Sequence, residues 1–229
     1  MSITYHTNLI QGSDEWRAAR CGLLTASEMR LIITPAKLQY ATNEHAKSHL
    51  YELLAQRVTQ FVEPSYISDD MLRGKEDEID AIRHYQENYG YVQTVGFITN
   101  DKWGFTLGYS PDAMVGEDGL IEVKGRRQKY QAETIIQGKM PTEYMIQVQT
   151  GMLVAERKWC DFISYSNGMH MIVIRVHADD VIQDAILQAA TIFHGLLDTM
   201  LDTYKAKISD KTARLVMTER RKEEEVIYV

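Results

Sequence analysis

Cysteine is scarce in this chain: Cys21 and Cys160 are the only two among 229 residues, and they match no metal-ligand or redox spacing. That argues against a four-cysteine iron–sulfur cluster and suggests a reducing compartment. No apolar run is long enough to span a bilayer and no leader-like segment is recognisable, so a cytoplasmic protein without a membrane partner is expected. There is no Pro/Gly/Ser-rich linker, internal repeat or low-complexity tract. One domain over residues 1–229 is therefore expected, with a charged tail from about residue 209. The absence of a Gly-x-x-x-x-Gly-Lys-Ser/Thr loop removes the usual signal for ATP-driven movement. Positive charge is also short: 25 Lys and Arg against 32 Asp and Glu leave a net charge of −7. This counts against a general DNA-coating protein, though a local basic lining can still hold phosphates in an enclosed channel. Lys124, Arg126, Arg127 and Lys129 form such a run.

What is present supports a packed core, since 45% of the residues are apolar. Asp14 to Arg20 reads as a short helix closed by Gly22. Thr25 followed by Glu28 has capping-box spacing, which predicts a second helix with Ser27 in its first turn. Free N–H groups there would favour an anion, or Ser27 and Arg20 are simply exposed. Residues 42–61 form an amphipathic pattern through Ala46, Leu50, Leu53, Leu54, Val58 and Phe61. A further helix over 74–89 has Ile79, Ile82, Tyr85 and Tyr89 as its expected buried stripe, and in its acidic start only Glu78 points inward. Residues 91–99 and 105–109 read as strands. The stretch 126–141 is ambiguous, with a short helix ended by Pro141 as one reading. Thr142 can cap a helix to Arg157 on which Tyr144, Gln147, Val148 and Gly151 share a face. Asn167-Gly168 predicts a hairpin between residues 159–166 and 169–176. A long helix then follows Asp179/Asp180 through Ile186, Ile192, Leu196, Leu197, Met200 and Leu201. This order suggests a mixed α+β fold, a mixed sheet flanked by helices.

The chemistry concentrates in Ser110-Pro111-Asp112 and Leu120-Ile121-Glu122-Val123-Lys124-Gly125. Strand alternation puts Glu122 and Lys124 on one face and Ile121 and Val123 on the other. The turn-rich Val115 to Gly119 brings Asp112 back beside them. A hard cation such as Mg²⁺ takes carboxylate and carbonyl oxygens, and Asp112, Glu122 and the Val123 carbonyl offer them. Lys124 is then placed to activate a water and to stabilise charge on a phosphate. A lone Glu-x-Lys on a strand is more often a cross-pair on a solvated face, so the pattern needs company.

Pro111-Asp112 with Glu122-Val123-Lys124 is similar to the PD-(D/E)XK nuclease signature, and three further blocks accompany it in order. They are Trp16 to Glu28, Arg73-Gly74-Lys75-Glu76-Asp77-Glu78, and Tyr144-Met145-Ile146-Gln147-Val148-Gln149. Together they resemble the phage lambda exonuclease family, the YqaJ-type viral recombinases. The resemblance implies a restriction-endonuclease-like core. It also implies Mg²⁺-dependent 5′→3′ digestion of one strand of duplex DNA from an end, leaving 3′ overhangs for recombination by strand annealing. Two ions are expected, with Mn²⁺ able to substitute. By position, Asp112, Glu122 and the Val123 carbonyl would hold metal, Lys124 would activate water and Glu78 would support the metal or its waters. Arg20, Ser27, Ser110 and Gln147 fall where the family holds a terminal 5′-phosphate. The implied partners are double-stranded DNA ends, two further copies in a ring-shaped homotrimer, and a single-strand annealing protein, in a bacterial cell with a phage or prophage source. Gly125-Arg126 departs from the family's frequent Cys-Pro, and the stretch before Tyr144 is short, which leaves the course of 125–141 open. Met71-Leu72 is an apolar pair beside polar neighbours, suited either to wedging apart a terminal base pair or to stapling a helix entry. Two other readings stand beside this one: another PD-(D/E)XK DNA endonuclease, and a nuclease-like module that binds DNA or a partner without catalysis.

Overall fold

The computed structural model describes residues 2–64 and 69–220, without the side chains of residues 69–71. The charged stretch 221–229 and the Met71 side chain lie outside what it describes. Two four-stranded sheets carry the architecture. The first has strand order β1 (Ile3–His6), β5 (Phe97–Asn100), β6 (Leu107–Tyr109), β2 (Leu24–Thr25). The second runs β10 (Ile172–His177), β9 (Trp159–Tyr165), β8 (Gly119–Gly125), β7 (Ala113–Val115). Both mix parallel and antiparallel pairs, because β2–β6 and β8–β9 are parallel and the rest antiparallel. A small ribbon, β3 (Ile33–Thr34) with β4 (Gln39–Tyr40), lies outside them. The expected mixed α+β class holds.

The central strand β8 is buried on both faces, as parallel pairing on one side and helix cover demand. Its alternation divides the core. Leu120 belongs to the main cluster with Tyr109, Ile146 and Phe162, while Ile121 and Val123 join Ala81 and Tyr85 of α4 (Asp69–Tyr89) in a second. Glu122 and Lys124 therefore share the Leu120 face, as the alternation predicts. Helix α6 (Met145–Ala155) covers the main cluster, entered through a 3₁₀ turn at Thr142–Tyr144. Helices α3 (Glu44–Thr59) and α7 (Asp180–Ser209) pack against each other and add Leu50, Leu53, Phe193 and Leu197 to the same cluster.

Several expectations change. The helix of α4 buries Asp77, Ala81 and Tyr85, whereas Ile79 is 71% and Tyr89 63% exposed. The buried line runs at positions 77, 81 and 85, where small Ala81 lets the helix approach β8 and Asp77 passes against Gly125. Val58 of α3 and Ile192 and Leu196 of α7 are also exposed, and Ala189, Ala190 and Phe193 do the packing instead. Strands β5 and β6 are shorter than the pattern suggests. The ambiguous stretch contains α5 (Gln128–Gln137), ended by Gly138 in the left-handed region (φ 61°) before Pro141 is reached. Capping-box spacing at Thr25 does not start a helix. Thr25 is claimed by parallel pairing of β2 with β6, and the helix that follows, α2 (Met29–Ile32), has four residues and no side-chain cap. Glu28 does reach back to the Thr25 N–H (3.2 Å), but the Thr25 hydroxyl donates to Glu28 (2.6 Å). Ser27 consequently precedes the helix, and the case for an anion at that helix start falls.

Candidate active site

Glu122 is the centre of the site and is 2% exposed. A buried carboxylate needs donors, and Glu122 has three. The Lys124 ammonium donates to Oε1 (2.7 Å), the Gln147 amide to the same oxygen, and the Tyr109 hydroxyl to Oε2 (3.1 Å). Each donor comes from a different element: β8 itself, α6 and β6. The β7–β8 hairpin returns Asp112, whose Oδ2 accepts the Val123 backbone N–H at 2.6 Å. Asp112, Glu122 and Lys124 are thus brought together as the sequence predicts.

The electrostatics are those of crowded anions. Burial, then the Glu122 and Glu78 carboxylates, hold the Asp112 carboxyl well above the usual range. Glu78 on α4 is likewise raised, first by burial and then by Glu122. Burial alone would lower the Lys124 ammonium, but Glu122 and Asp112 outweigh it and raise its pKa. Burial also raises the Tyr109 hydroxyl, which stays a hydrogen-bond donor to Glu122. Three carboxylates with one ammonium leave negative charge that an oxygen-seeking cation would neutralise. Among the described residues, no group of three or more His, Cys, Asp and Glu side chains closes into a cage. An open set of a few carboxylate oxygens suits Mg²⁺, which keeps waters of its own.

A second cluster adjoins the first through Tyr109-Ser110. Arg20, on α1 (Asp14–Arg20), lies over the Trp16 ring at 4.3 Å and donates to Ser110 Oγ (3.4 Å) and Thr25 Oγ1 (3.2 Å). Trp16 Nε1 donates to the same Ser110 oxygen at 2.9 Å. Burial lowers the Arg20 pKa while nearby Glu28 raises it. Ser27 is exposed, and its Oγ lies 3.3 Å from Thr25 Oγ1. Of the four residues expected at a phosphate, Arg20 and Ser110 touch, Ser27 is linked through Thr25, and Gln147 instead binds Glu122. Leu72 is 51% exposed near the start of α4.

Sequence reasoning put Thr25 at a helix cap and Tyr144 on the face of Gln147 but assigned none of Trp16, Thr25, Tyr109 and Tyr144 to the site. Trp16 was findable, since it stands four residues before Arg20 on one helix and shares its face. Tyr109 has no local signal, because its role depends on Gly151 of α6 leaving room for its ring. The centre of the Tyr144 ring lies 5.4 Å from the Lys124 ammonium.

The sequence profile of the YqaJ-like viral recombinase domain matches residues 15–158, which holds every residue just described. Among curated proteins none matches. The structure is similar to that of an alkaline exonuclease from Laribacter hongkongensis, with 32% identity, a TM-score of 0.77, and coverage of 88% of this chain and 100% of that one. A structure of that exonuclease in complex with dAMP matches equally well in fold, with 33% identity, a TM-score of 0.77 and the same coverage. A phage-related exonuclease from Haemophilus somnus 129PT shares the fold at 12% identity and a TM-score of 0.58, covering 80% of this chain and 96% of that one. Family and fold together indicate a phage-type alkaline exonuclease, and the chain belongs to the YqaJ-like viral recombinase family.

Proposed function

We propose that this protein is a Mg²⁺-dependent exonuclease that digests one strand of linear duplex DNA in the 5′→3′ direction and leaves a 3′ single strand. One observation carries the reading: the Glu122–Lys124–Asp112 group, centred on buried Glu122, lies two residues along the chain from Ser110, just past β6, whose hydroxyl accepts from Arg20. Asp112 and Glu122, with the Val123 carbonyl, are the residues to hold the cations, and Glu78 supports them. Two Mg²⁺ ions, when bound, would stabilise the attacking and leaving oxygens of phosphodiester hydrolysis. The chain's own contribution is placement. Tyr109 and Gln147 fix the Glu122 carboxylate, and the Val123 N–H fixes Asp112. Lys124 supplies a permanent positive charge beside the scissile phosphate and orients the attacking water. Arg20 and Ser110, with Ser27 at the edge, receive the 5′-phosphate and set the register of the cut. Met71 and Leu72 are the candidates for parting the terminal base pair. The exposed 3′ strand is then the substrate of a single-strand annealing protein, and a homotrimeric ring supplies enclosure of the duplex.

The test uses linear, nicked and closed circular duplexes with Mg²⁺ or with chelator. Linear DNA should lose its 5′-ended strands, closed circles should survive, and chelator should stop digestion. Lys124→Ala and Asp112→Ala should each lower the single-turnover rate by at least ~10²-fold, the scale of losing one positioned charge. Cutting of closed circles would favour an endonuclease, and wild-type rates in both variants would remove these residues from the reaction.

A further inference from the structure

From Arg20 a chain of polar side chains runs to a buried histidine on α3. The Thr25 hydroxyl, which accepts from Arg20 at 3.2 Å, itself donates to Glu28 Oε2 at 2.6 Å. The Thr25 backbone N–H donates to the same carboxylate oxygen at 3.2 Å. A hydroxyl has one proton to give, and an ionised carboxylate can only accept. Glu28 therefore fixes where the Thr25 proton points and leaves the lone pairs of that oxygen to Arg20. The two are linked through space as well. Burial disfavours the charged Arg20 guanidinium, and the Glu28 charge opposes that effect.

His49 closes the chain. It is 2% exposed, its ring stacks on Phe193 of α7 at 5.7 Å, and its Nδ1 lies 3.0 Å from Glu52 Oε2. Its Nε2 is buried without a hydrogen-bond partner and lies 3.9 Å from Glu28 Oε2. An ionised carboxylate at 3.0 Å requires a proton on Nδ1, so a second proton on Nε2 would give each of the two carboxylates a donor. Packing alone does not call for these nitrogens. An apolar ring of the same shape would fill the space against Phe193, and such a replacement is nearly neutral or stabilising when it removes an unpaired polar group. The ring nitrogen that costs stability is the one that faces Glu28. Left without an offset, the Glu28 carboxylate would repel the same phosphate that Arg20 attracts.

We propose that Glu28 and His49 are positioning residues for recognition of the 5′-phosphate. Glu28 holds the Arg20 guanidinium through the Thr25 hydroxyl, and His49 steadies the Glu28 carboxylate and offsets its charge. Both act through Arg20. The inference rests on the exonuclease reading, in which Arg20 and Ser110 receive the 5′-phosphate.

The experiment measures the affinity of the full chain for blunt duplex with 5′-phosphorylated or 5′-hydroxyl ends, by fluorescence anisotropy in chelator, where hydrolysis is stopped. The ratio of the two affinities is the readout, because it divides out any general loss of DNA binding. Glu28→Gln should lower the ratio about tenfold, the scale of one charge-assisted hydrogen bond. Thr25→Val keeps the shape and loses the hydroxyl, so it should do the same, whereas Thr25→Ser should stay within about twofold of wild type. His49→Phe keeps the ring against Phe193, so its melting temperature should not fall, yet its ratio should drop about threefold. In Arg20→Ala protein neither Glu28→Gln nor His49→Phe should lower the ratio further, since the group they position is gone. An unchanged or higher ratio in Glu28→Gln would overturn the proposal, as would a further loss on top of Arg20→Ala. A His49→Phe protein that melts lower and keeps its ratio would make His49 a packing residue and overturn its part. A wild-type ratio of one would remove the phosphate position and the proposal together. Failure of the exonuclease reading appears separately, as linear duplex left intact in Mg²⁺ by protein that still prefers phosphorylated ends in chelator.

Discussion

Arg20 shows how much a single side chain depends on its neighbours. Its guanidinium is held flat over Trp16, and Ser110 and Thr25 each accept one N–H. Five donors in a rigid fork leave others to meet an anion, and the planar group is already oriented for it. A phosphate there would gain charge-assisted hydrogen bonds worth roughly 1.5–3 kcal/mol each. Arg20→Ala should therefore narrow the rate difference between 5′-phosphorylated and 5′-hydroxyl ends by about 10- to 100-fold in single-turnover digestion. Trp16→Phe keeps the stacking face and loses the indole bonds to Ser110 and to the Gly96 carbonyl, so its effect should be smaller. Equal rates on both ends in wild-type protein would return Arg20 to a structural role. Asp112, Glu122 and Lys124 were readable because strand alternation fixes which residues share a face without any tertiary knowledge. Tyr109 was not, since its hydroxyl finds Glu122 only after β6 and β8 have been packed under α6.

Elements show the same division. The β9–β10 hairpin followed from Asn167-Gly168, and α7 followed from Asp179, whose carboxylate caps Val181 and Ile182. Thr25 and Glu28 misled because β2 needed Thr25 for its pairing with Gly108, a long-range demand that overrides local capping. Contact between α6 and β6 goes through Gly151, where a Cβ would meet the Tyr109 ring carbons at 2.7 Å. Gly151→Ala should cost about 1–3 kcal/mol by overpacking, read as a lower denaturation midpoint. It should also slow cleavage, because Tyr109 would carry its hydroxyl away from Glu122. A normal rate in a destabilised variant would separate the packing role from the catalytic one. The α3–α7 pair gives a pH prediction. Burial, followed by the nearby Arg57 guanidinium, pushes the His194 imidazole down to about 4, with Asp198 opposing. Arg57 approaches it at 3.4 Å, and the Phe105 ring stacks on it at 4.5 Å. The neutral ring suits the folded state, so the stability it confers is present above the unfolded value near 6.5 and is lost as pH falls towards 4. The loss should be on the order of 2–3 kcal/mol. His194→Phe should flatten the fall in melting temperature between pH 7 and 4.5, and an unchanged slope would place the acid sensitivity elsewhere.

At the scale of the whole molecule, charge decides how DNA is held. A net charge of −7 repels a polyanion at long range, so attraction has to come from a few cations gathered in one place. Arg20 donates to Ser110, two residues before Asp112, and Arg126 and Arg127 follow the last residue of β8, just past Lys124. With Lys129 beside them in the sequence, about four phosphates can be neutralised, each releasing counterions as it binds. The logarithm of the affinity for linear duplex should then fall against the logarithm of salt concentration with a slope of about −3 to −4. Asp112→Asn protein in chelator makes the measurement possible without digestion. Arg127→Ala in that background should reduce the slope by about one while lowering affinity alike for all sequences. A slope steeper than about −7 would require many more phosphate contacts than this acidic chain can supply from one protomer. The extra cations would then have to come from other copies around the same duplex, and the slope would fall back when the assembly was diluted to single chains.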